Sequence, residues 1–367
     1  MSTANYDSFN AKALPTGNDG LIREDVMDQI FDVSPIDRPF CDAIGKGTSS
    51  NTLKEWLRES LATPNADNAI VEGADAVGDD TITGERFSNA HQLMSKTVKV
   101  SDRLRDVDTV GSSDELVRQI MINQKSLKRD EEAALTSSNA AVIGDTSTAS
   151  KMAGVGAWIG VPIDGSASTT TDRGIGGADP VTNGTAGAGG TPVTASTAGT
   201  PRALSEASVR AMMAAAYLNG GDPSLAISTP AVIEKFSSYL FSASARVATL
   251  QSDVSQSNRT GAGAGNGATS GGVAAQGSVN IFVTDFGTLT LTPDRFMPAK
   301  EAGNDSLYLI DPTTWEATYL SGYRTIDLAK TGTATNRQIT VDVSLVCTNP
   351  EANAGVFDID ATTAMVA

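Results

Sequence analysis

One long, well-bounded helical pattern constrains this chain more than any other feature. Ser112-Ser113-Asp114-Glu115 offers a capping box, with Ser112 as N-cap and Glu115 three residues on. Leu116, Ile120, Leu127 and Ala134 then mark one stripe, with Val117, Met121 and Leu135 beside it. The pattern predicts a helix to about Thr136, roughly 24 residues and ~36 Å long. That exceeds the usual helix of a globular domain, so a strut is expected. Its polar face carries Lys125, Lys128, Arg129, Asp130, Glu131 and Glu132. Carboxylate pairs such as Glu131-Glu132 and Asp79-Asp80 are read as solvated faces, since an acid-rich chain produces such pairs by chance.

Upstream, residues 1–20 are polar and read as an extended arm, and residues 21–31 (LIREDVMDQIF) have the spacing of a short amphipathic helix. SPIDRPFCDAIGKG (34–47) reads as a loop anchored by Phe40 and Ile44. TLKEWLRES (52–60) is ambiguous. As a helix it stripes Leu53, Trp56, Leu57 and Leu61; as a strand it mixes charge with apolar surface on both faces. A polar excursion holding six Asp and Glu residues follows (62–86), and FSNAHQLMSKTVKVSD (87–102) then alternates like a half-apolar strand. The two strands predict a long projecting hairpin.

Downstream, residues 161–200 collapse to Gly, Thr, Ala and Ser, as do 257–272, and both read as surface loops or loose hairpins. Between them lie two helices, one with Ser205 as N-cap and Gly220 past its end, the other with Thr229 as N-cap and Pro230 first. The remainder is β-rich: VNIFVTDFG, TLTLTP, SLYLID, EATYL, YRTIDLA and QITVDVSLVC. In the last, Ile339, Val341, Val343, Leu345 and Cys347 form one buried face. The layout is α+β.

Composition narrows function. The net charge is -16, from 43 acidic and 27 basic residues. That opposes binding to nucleic acid through a broad basic surface and to an anionic membrane. No apolar run approaches the ~20 residues that span a bilayer, and the N-terminus lacks a secretory layout. Synthesis in a cytoplasm is expected. Cys41 and Cys347 are the only cysteines and make neither a disulfide framework nor a cysteine-only zinc site. His91 is the only histidine, read as a solvated or interface residue rather than a general base. No nucleophile elbow, phosphate loop or dinucleotide fingerprint occurs. DGSASTTTD (164–172) lacks the alternating carboxylates of a calcium loop. Trp56, Trp158 and Trp315 read as core or interface anchors. No catalytic constellation, cofactor or metal is expected.

Several segments together resemble one family. They are SPIDRPFCDAIGKG with EW in TLKEWLRES, EG in IVEGADA, SNAHQLMSKTVKVSD, LKRDEEAAL, KMAGVGAWI, VTDFGTLTLTPDRFMP and DLAKTGTATNRQITVDVSLVCTNPEANAGVFDI. In order and spacing they are similar to the SU-ten-like major capsid proteins of tailed bacteriophages, which have the Hong Kong 97 (Johnson) fold. The resemblance covers most of residues 20–360 except 161–200. It implies an N-terminal arm (1–50), an extended hairpin loop (51–101) and a peripheral domain with a spine helix (102–160). It further implies an axial domain (201–321) and a peripheral return hairpin with C-terminal tail (322–367), with 161–200 as an added surface hairpin or loop.

What the resemblance implies for function is self-association. Copies would form hexamers and pentamers of an icosahedral head around double-stranded DNA, without sequence-specific binding. Partners would be a separate scaffolding protein, a portal and possible decoration proteins, with no membrane and no cofactor. The expected inter-subunit residues are Leu53, Trp56, Leu57, Arg58, Arg86, Met94 and Val98. Among these, Leu53, Trp56 and Leu57 with Met94, Val98 and Val100 would lie on a neighbouring subunit, while Lys54, Glu55, Arg58, Glu59 and Arg86 would set register. Nothing in the sequence matches the Lys, Asn and Glu set of covalently crosslinked shells. The competing reading is a secreted acidic surface-layer or adhesin-type protein, from acidity and Thr/Gly/Ala richness.

Overall fold

The structure, a computed structural model, describes residues 32–366 apart from 60, 63, 74, 76–77, 79–80, 83, 108–113, 162–168, 184–188, 244–279, 300–302 and 331. The helix expected at 21–31, the N-cap Ser112, the pair Asp79-Asp80 and the patch 257–272 lie outside the described residues.

The chain opens with the helical turn α1 (Pro39–Ala43) and strands β1 (Gly45–Thr48), β2 (Leu53–Arg58), β3 (Glu85–Ala90) and β4 (Gln92–Ser101). Helices α2 (Asp102–Asp106), α3 (Glu115–Leu135) and α4 (Val155–Trp158) follow. Four short strands come next: β5 (Thr171–Asp172), β6 (Val181–Thr182), β7 (Gly189–Gly190) and β8 (Pro192–Thr194). Helices α5 (Glu206–Leu218) and α6 (Pro230–Ala243) bracket β9 (Leu225–Ser228). The remainder is β10 (Ile281–Thr284), β11 (Gly287–Pro293), β12 (Asp305–Ile310), β13 (Trp315–Asp327), β14 (Ala334–Cys347) and β15 (Ala354–Ile359).

The strut forms as α3, 21 residues long. It starts at Glu115, and Asp114 rather than Ser112 caps it, its carboxylate accepting the Leu116 N–H at 3.0 Å. Glu115 turns instead to Arg118 and Gln119 further along the helix. Leu116 and Leu127 bury against Val98 and Val100 of β4 and Ile339 and Val341 of β14. Those strands belong to a four-stranded sheet in the order β1-β13-β14-β4. EATYL and YRTIDLA are one strand, β13, paired with β14 from Asp327↔Arg337 to Trp315↔Cys347 across two register shifts. At its C-terminal end β14 is buried on both faces: Val343, Leu345 and Cys347 join a core shared with a second layer, while Ser344 Oγ donates to the Ala90 carbonyl of β3.

That second layer is a six-stranded sheet in the order β10-β11-β9-β12-β15-β5. Helix α5 contributes Val209, Met213 and Ala216 to its core and α6 contributes Val232, Ile233 and Phe236. Gly220, at φ +80°, supplies the left-handed residue just beyond α5. A joint core with Phe40, Trp158, Ile227, Tyr308, Trp315 and Phe357 ties the two sheets together. Buried Asn353 supports that junction: its Oδ1 accepts the Asp311 N–H and Trp315 Nε1–H, both at 2.8 Å.

Three expectations change. Residues 34–47 form α1 and β1 rather than a loop, although Phe40 and Ile44 do anchor them. Residues 87–102 are two strands: β3 pairs with β2, whereas β4 leaves the hairpin and pairs with β14. The Gly/Thr-rich stretch is stitched into the fold, with β5 on β15, β7 on β3, and β6 with β8 as a small antiparallel pair.

Candidate inter-subunit hairpin and its anchor

Strand alternation decides what the hairpin offers. β2 pairs antiparallel with β3 from Leu53↔Ala90 to Arg58↔Glu85, so TLKEWLRES is a strand and its helical spacing is a decoy. Period two places Lys54, Trp56 and Arg58 on one face and Leu53, Glu55 and Leu57 on the other. The first face turns inward. The Trp56 ring lies 6.5 Å from Phe87 and 5.3 Å from the fully buried Trp158. The Arg58 guanidinium sits 4.3 Å over the Phe87 ring, and burial holds its pKa below the ordinary value. The second face turns outward, with Leu57 69% exposed. Glu55 and Arg86 stand 3.8 Å apart there, an exposed pair worth little alone. Beyond β2 the excursion exposes Leu61, Ile70 and Val71.

The expected contact residues therefore separate. Leu57 and Arg86 face outward, and Leu53 is half-buried at the hairpin root. Trp56 and Arg58 pack on their own chain. Met94 is half-buried between two cores, and Val98 and Val100 are buried in the chain's own interior. The cause is topological: β4 pairs with β14, placing Met94 opposite Val341 and Val98 opposite Arg337, under α3. Val98 and Val100 are thus covered within their own chain, and Trp56 is half-covered there. Trp56→Ala is expected to destabilise the unassembled subunit by about 2 kcal/mol, below a fully buried tryptophan because the ring is only half-covered. Leu57→Ser should change stability by less than about 0.5 kcal/mol while impairing association. Urea unfolding of the subunit beside sedimentation of assembled material separates the two.

The anchor of this region was not legible as such. Glu131 and Glu132, expected on a solvated face, are both fully buried. Glu131 lies four residues after Leu127 and four before Leu135, squarely on the buried stripe of α3. That spacing was the available signal. Its carboxylate accepts the Tyr319 hydroxyl at 2.5 Å, the Tyr323 hydroxyl, and Arg38 Nη1 at 3.1 Å. Both phenols are pushed well above their ordinary value, first by burial and then by the neighbouring carboxylate. Glu132 accepts the backbone N–H groups of Phe40 at 2.7 Å and Cys41 at 3.0 Å. These are orphan donors at the start of α1, where Pro39 has no N–H to satisfy. Two adjacent carboxylates thus pin the chain leading into the hairpin to α3 and to β13.

Little in this arrangement resembles catalytic machinery. Cys41 and Cys347 are buried free thiols, and burial pushes Cys41 up to about 11, away from a reactive thiolate. Among the described residues no group of three His, Cys, Asp or Glu could hold a metal ion. No described helix is long and apolar enough to cross a membrane. His91 is not solvated but buried, beside Asp342.

Known proteins give these features a context. The SU10 major capsid protein family matches residues 2–360. The major capsid protein of Escherichia phage Phieco32 is 34% identical over 108 residues, 29% of this chain and 31% of that protein. This chain thus spans about a third of the length of that relative. Among solved structures, the cyanophage A-1(L) capsid is similar at a TM-score of 0.55 and 13% identity, covering 93% of this chain and 98% of that one. The capsid of a native GTA particle is similar at 0.53 and 11% identity, covering 96% and 100%. The capsid of cyanophage P-SCSP1u is similar at 0.51 and 10%, covering 92% and 93%. These likenesses show the fold, an α+β architecture of the Hong Kong 97 type. With that fold and a family match running almost end to end, the chain belongs to the SU10 major capsid protein family.

Proposed function

We propose that this chain is the shell-forming subunit of a tailed bacteriophage head, associating as hexamers and pentamers into an icosahedral container for double-stranded DNA. The observation that carries this reading is the β2–β3 hairpin, whose outward face and excursion leave Leu57, Leu61, Ile70 and Val71 exposed. Surface of that kind is stabilised by burial on a neighbour. The hairpin loop would span residues 51–90, with β4 assigned to the peripheral domain beside α3. The six-stranded sheet with α5 and α6 would form the axial domain, and the arm would run through residues 1–50. The net charge of -16 suits a container that must release its genome, because a shell gripping phosphate through Lys and Arg would oppose packaging and ejection. The role is structural rather than catalytic, with assembly in the host cytoplasm and a scaffolding protein, a portal and decoration proteins as partners. A secreted surface-layer role has no support in the relatives.

Negative-stain microscopy of the expressed chain, with and without a candidate scaffolding protein, tests the proposal. Closed uniform shells or capsomer rings are the expected result. A stable monomer that never associates under either condition overturns it.

A further inference from the structure

Helix α3 carries apolar side chains on a face that its own core does not use. Its three residues most open to solvent are Val117 (48%), Met121 (52%) and Ile122 (37%). Helical spacing puts Val117 one turn before Met121, with Ile122 alongside, so they form one patch on the first half of the helix. Leu116 and Leu127 already supply the buried stripe, which makes the patch a second apolar face. Arg118 and Lys125 stand one turn to either side of Met121 and Ile122 and give the patch a cationic border. Contiguous apolar surface of this kind marks a place where something binds.

The course of the chain ahead of α1 says what covers it. The Cys41 N–H donates to Glu132 at 3.0 Å, Arg38 pairs with Glu131 at 3.1 Å, and Asp32 pairs with Lys125 at 2.8 Å. Followed backward from α1, the chain therefore descends α3 from Glu132 to Lys125, toward the patch. Pro35 and Ile36 lie along that path and enclose a cleft of about 170 Å³ with Ile122 and Lys125. Residues 21–31, outside the described residues, come next, and their sequence suits the patch. LIREDVMDQIF sets Ile22, Val26, Met27 and Ile30 at helical spacing, while Glu24, Asp25 and Asp28 outweigh Arg23 and leave the segment acidic. Length agrees as well: a helix over 21–31 is about 16 Å long, and the distance along α3 from Lys125 back to Val117 is about 12 Å.

We propose that the apolar patch of α3 is a docking site for residues 21–31 of the same chain, laid alongside as an amphipathic helix running parallel to α3. The apolar stripe of the segment covers Val117, Met121 and Ile122, and its acids face the border cations Arg118 and Lys125. The tether favours the chain's own segment over that of a second copy. With Asp32 held at Lys125, the segment is delivered at a high effective concentration, whereas another copy must first lose its free motion. Docking needs no assembled shell. It confines the part of the arm that can reach a neighbouring subunit to residues 1–20.

Hydrogen–deuterium exchange of the full-length unassembled subunit, kept dilute enough to remain monomeric and read peptide by peptide, tests the docking. Residues 21–31 are expected to exchange slowly in the wild type and about tenfold or more faster in Met121→Asp, which puts a charge in the patch. Met121 is half-exposed, so the variant should melt close to the wild-type temperature, and its lost protection then reports undocking rather than unfolding. Val26→Asp, which leaves α3 unaltered, should release the same peptide from the other side of the contact. Unprotected exchange of 21–31 in the wild type overturns the proposal, as does protection that neither substitution changes. Protection that appears only as protein concentration rises assigns the patch to a second copy and overturns it too.

Discussion

Replacing Glu131 by alanine is expected to destabilise the unassembled subunit by about 3–5 kcal/mol, the range for breaking a buried charge pair from one side. The size comes from what is left behind rather than from what is removed. Arg38, whose side chain is only 14% exposed, would keep its charge and its contact with Asp42 but lose its buried partner. The hydroxyls of Tyr319 and Tyr323 would lose their acceptor inside the protein. Each unmade buried hydrogen bond adds roughly 1–3 kcal/mol, and the losses overlap because one carboxylate serves all three donors. Glu131→Gln should fall between, since the amide oxygen can still accept from a phenol while its NH₂ cannot accept from Arg38. Guanidinium denaturation of the subunit at neutral pH measures both. A loss below about 1 kcal/mol for the alanine variant would mean that the network does not anchor the arm.

The contribution of Glu132 to subunit stability should fall as pH rises from about 4.5 toward 7. Burial raises its pKa from 4.5 to about 7, against the lowering effect of the Phe40 and Cys41 N–H groups. Below 4.5 the folded and unfolded chains both carry the proton, so the group contributes no slope. Between 4.5 and about 7 the folded chain holds a proton that the unfolded chain has released, and raising pH therefore favours unfolding. Above about 7 both states are ionised and the effect is flat. Across that window the difference amounts to about 3 kcal/mol, since one pKa unit is worth 1.36 kcal/mol. Asp294 and Asp305 are likewise raised by burial and slope in the same direction. The contribution of Glu132 is thus the difference between the wild-type pH profile and that of Glu132→Gln. Parallel profiles for the two proteins would remove Glu132 as the source.

The same two glutamates mark where sequence reasoning stopped. On α3 a charged residue normally signals the solvent side, and Lys125, Lys128, Arg129 and Asp130 around them strengthened that impression. What overrode it was partner chemistry from distant parts of the chain: Arg38, Phe40, Cys41, Tyr319 and Tyr323 converge on two carboxylates from both ends of the sequence. A buried acid is legible only when its donors are known, and those donors lie 91 to 192 residues away. The hairpin carried a similar lesson. Alternation through residues 87–102 correctly marked extended chain but could not show that the strand breaks at His91 and changes sheets.

Local periodicity by itself determined the elements: the long α3, the helices after Ser205 and Thr229, and the alternating face of β14, while TLKEWLRES stayed ambiguous until its pairing with β3. Those follow from backbone geometry and from side chains repeating at 3.6 or 2 residues. The order of segments was also enough to recognise the family. Only the tertiary structure decided which strand β4 joins, so that Val98 and Val100 are buried at home while Leu57 faces outward. Strand pairing is a choice among distant segments of similar alternation, settled by which partner completes a covered core. For β4 that partner is β14 beneath α3, and it leaves β2 and β3 as a short separate hairpin with Leu57 exposed.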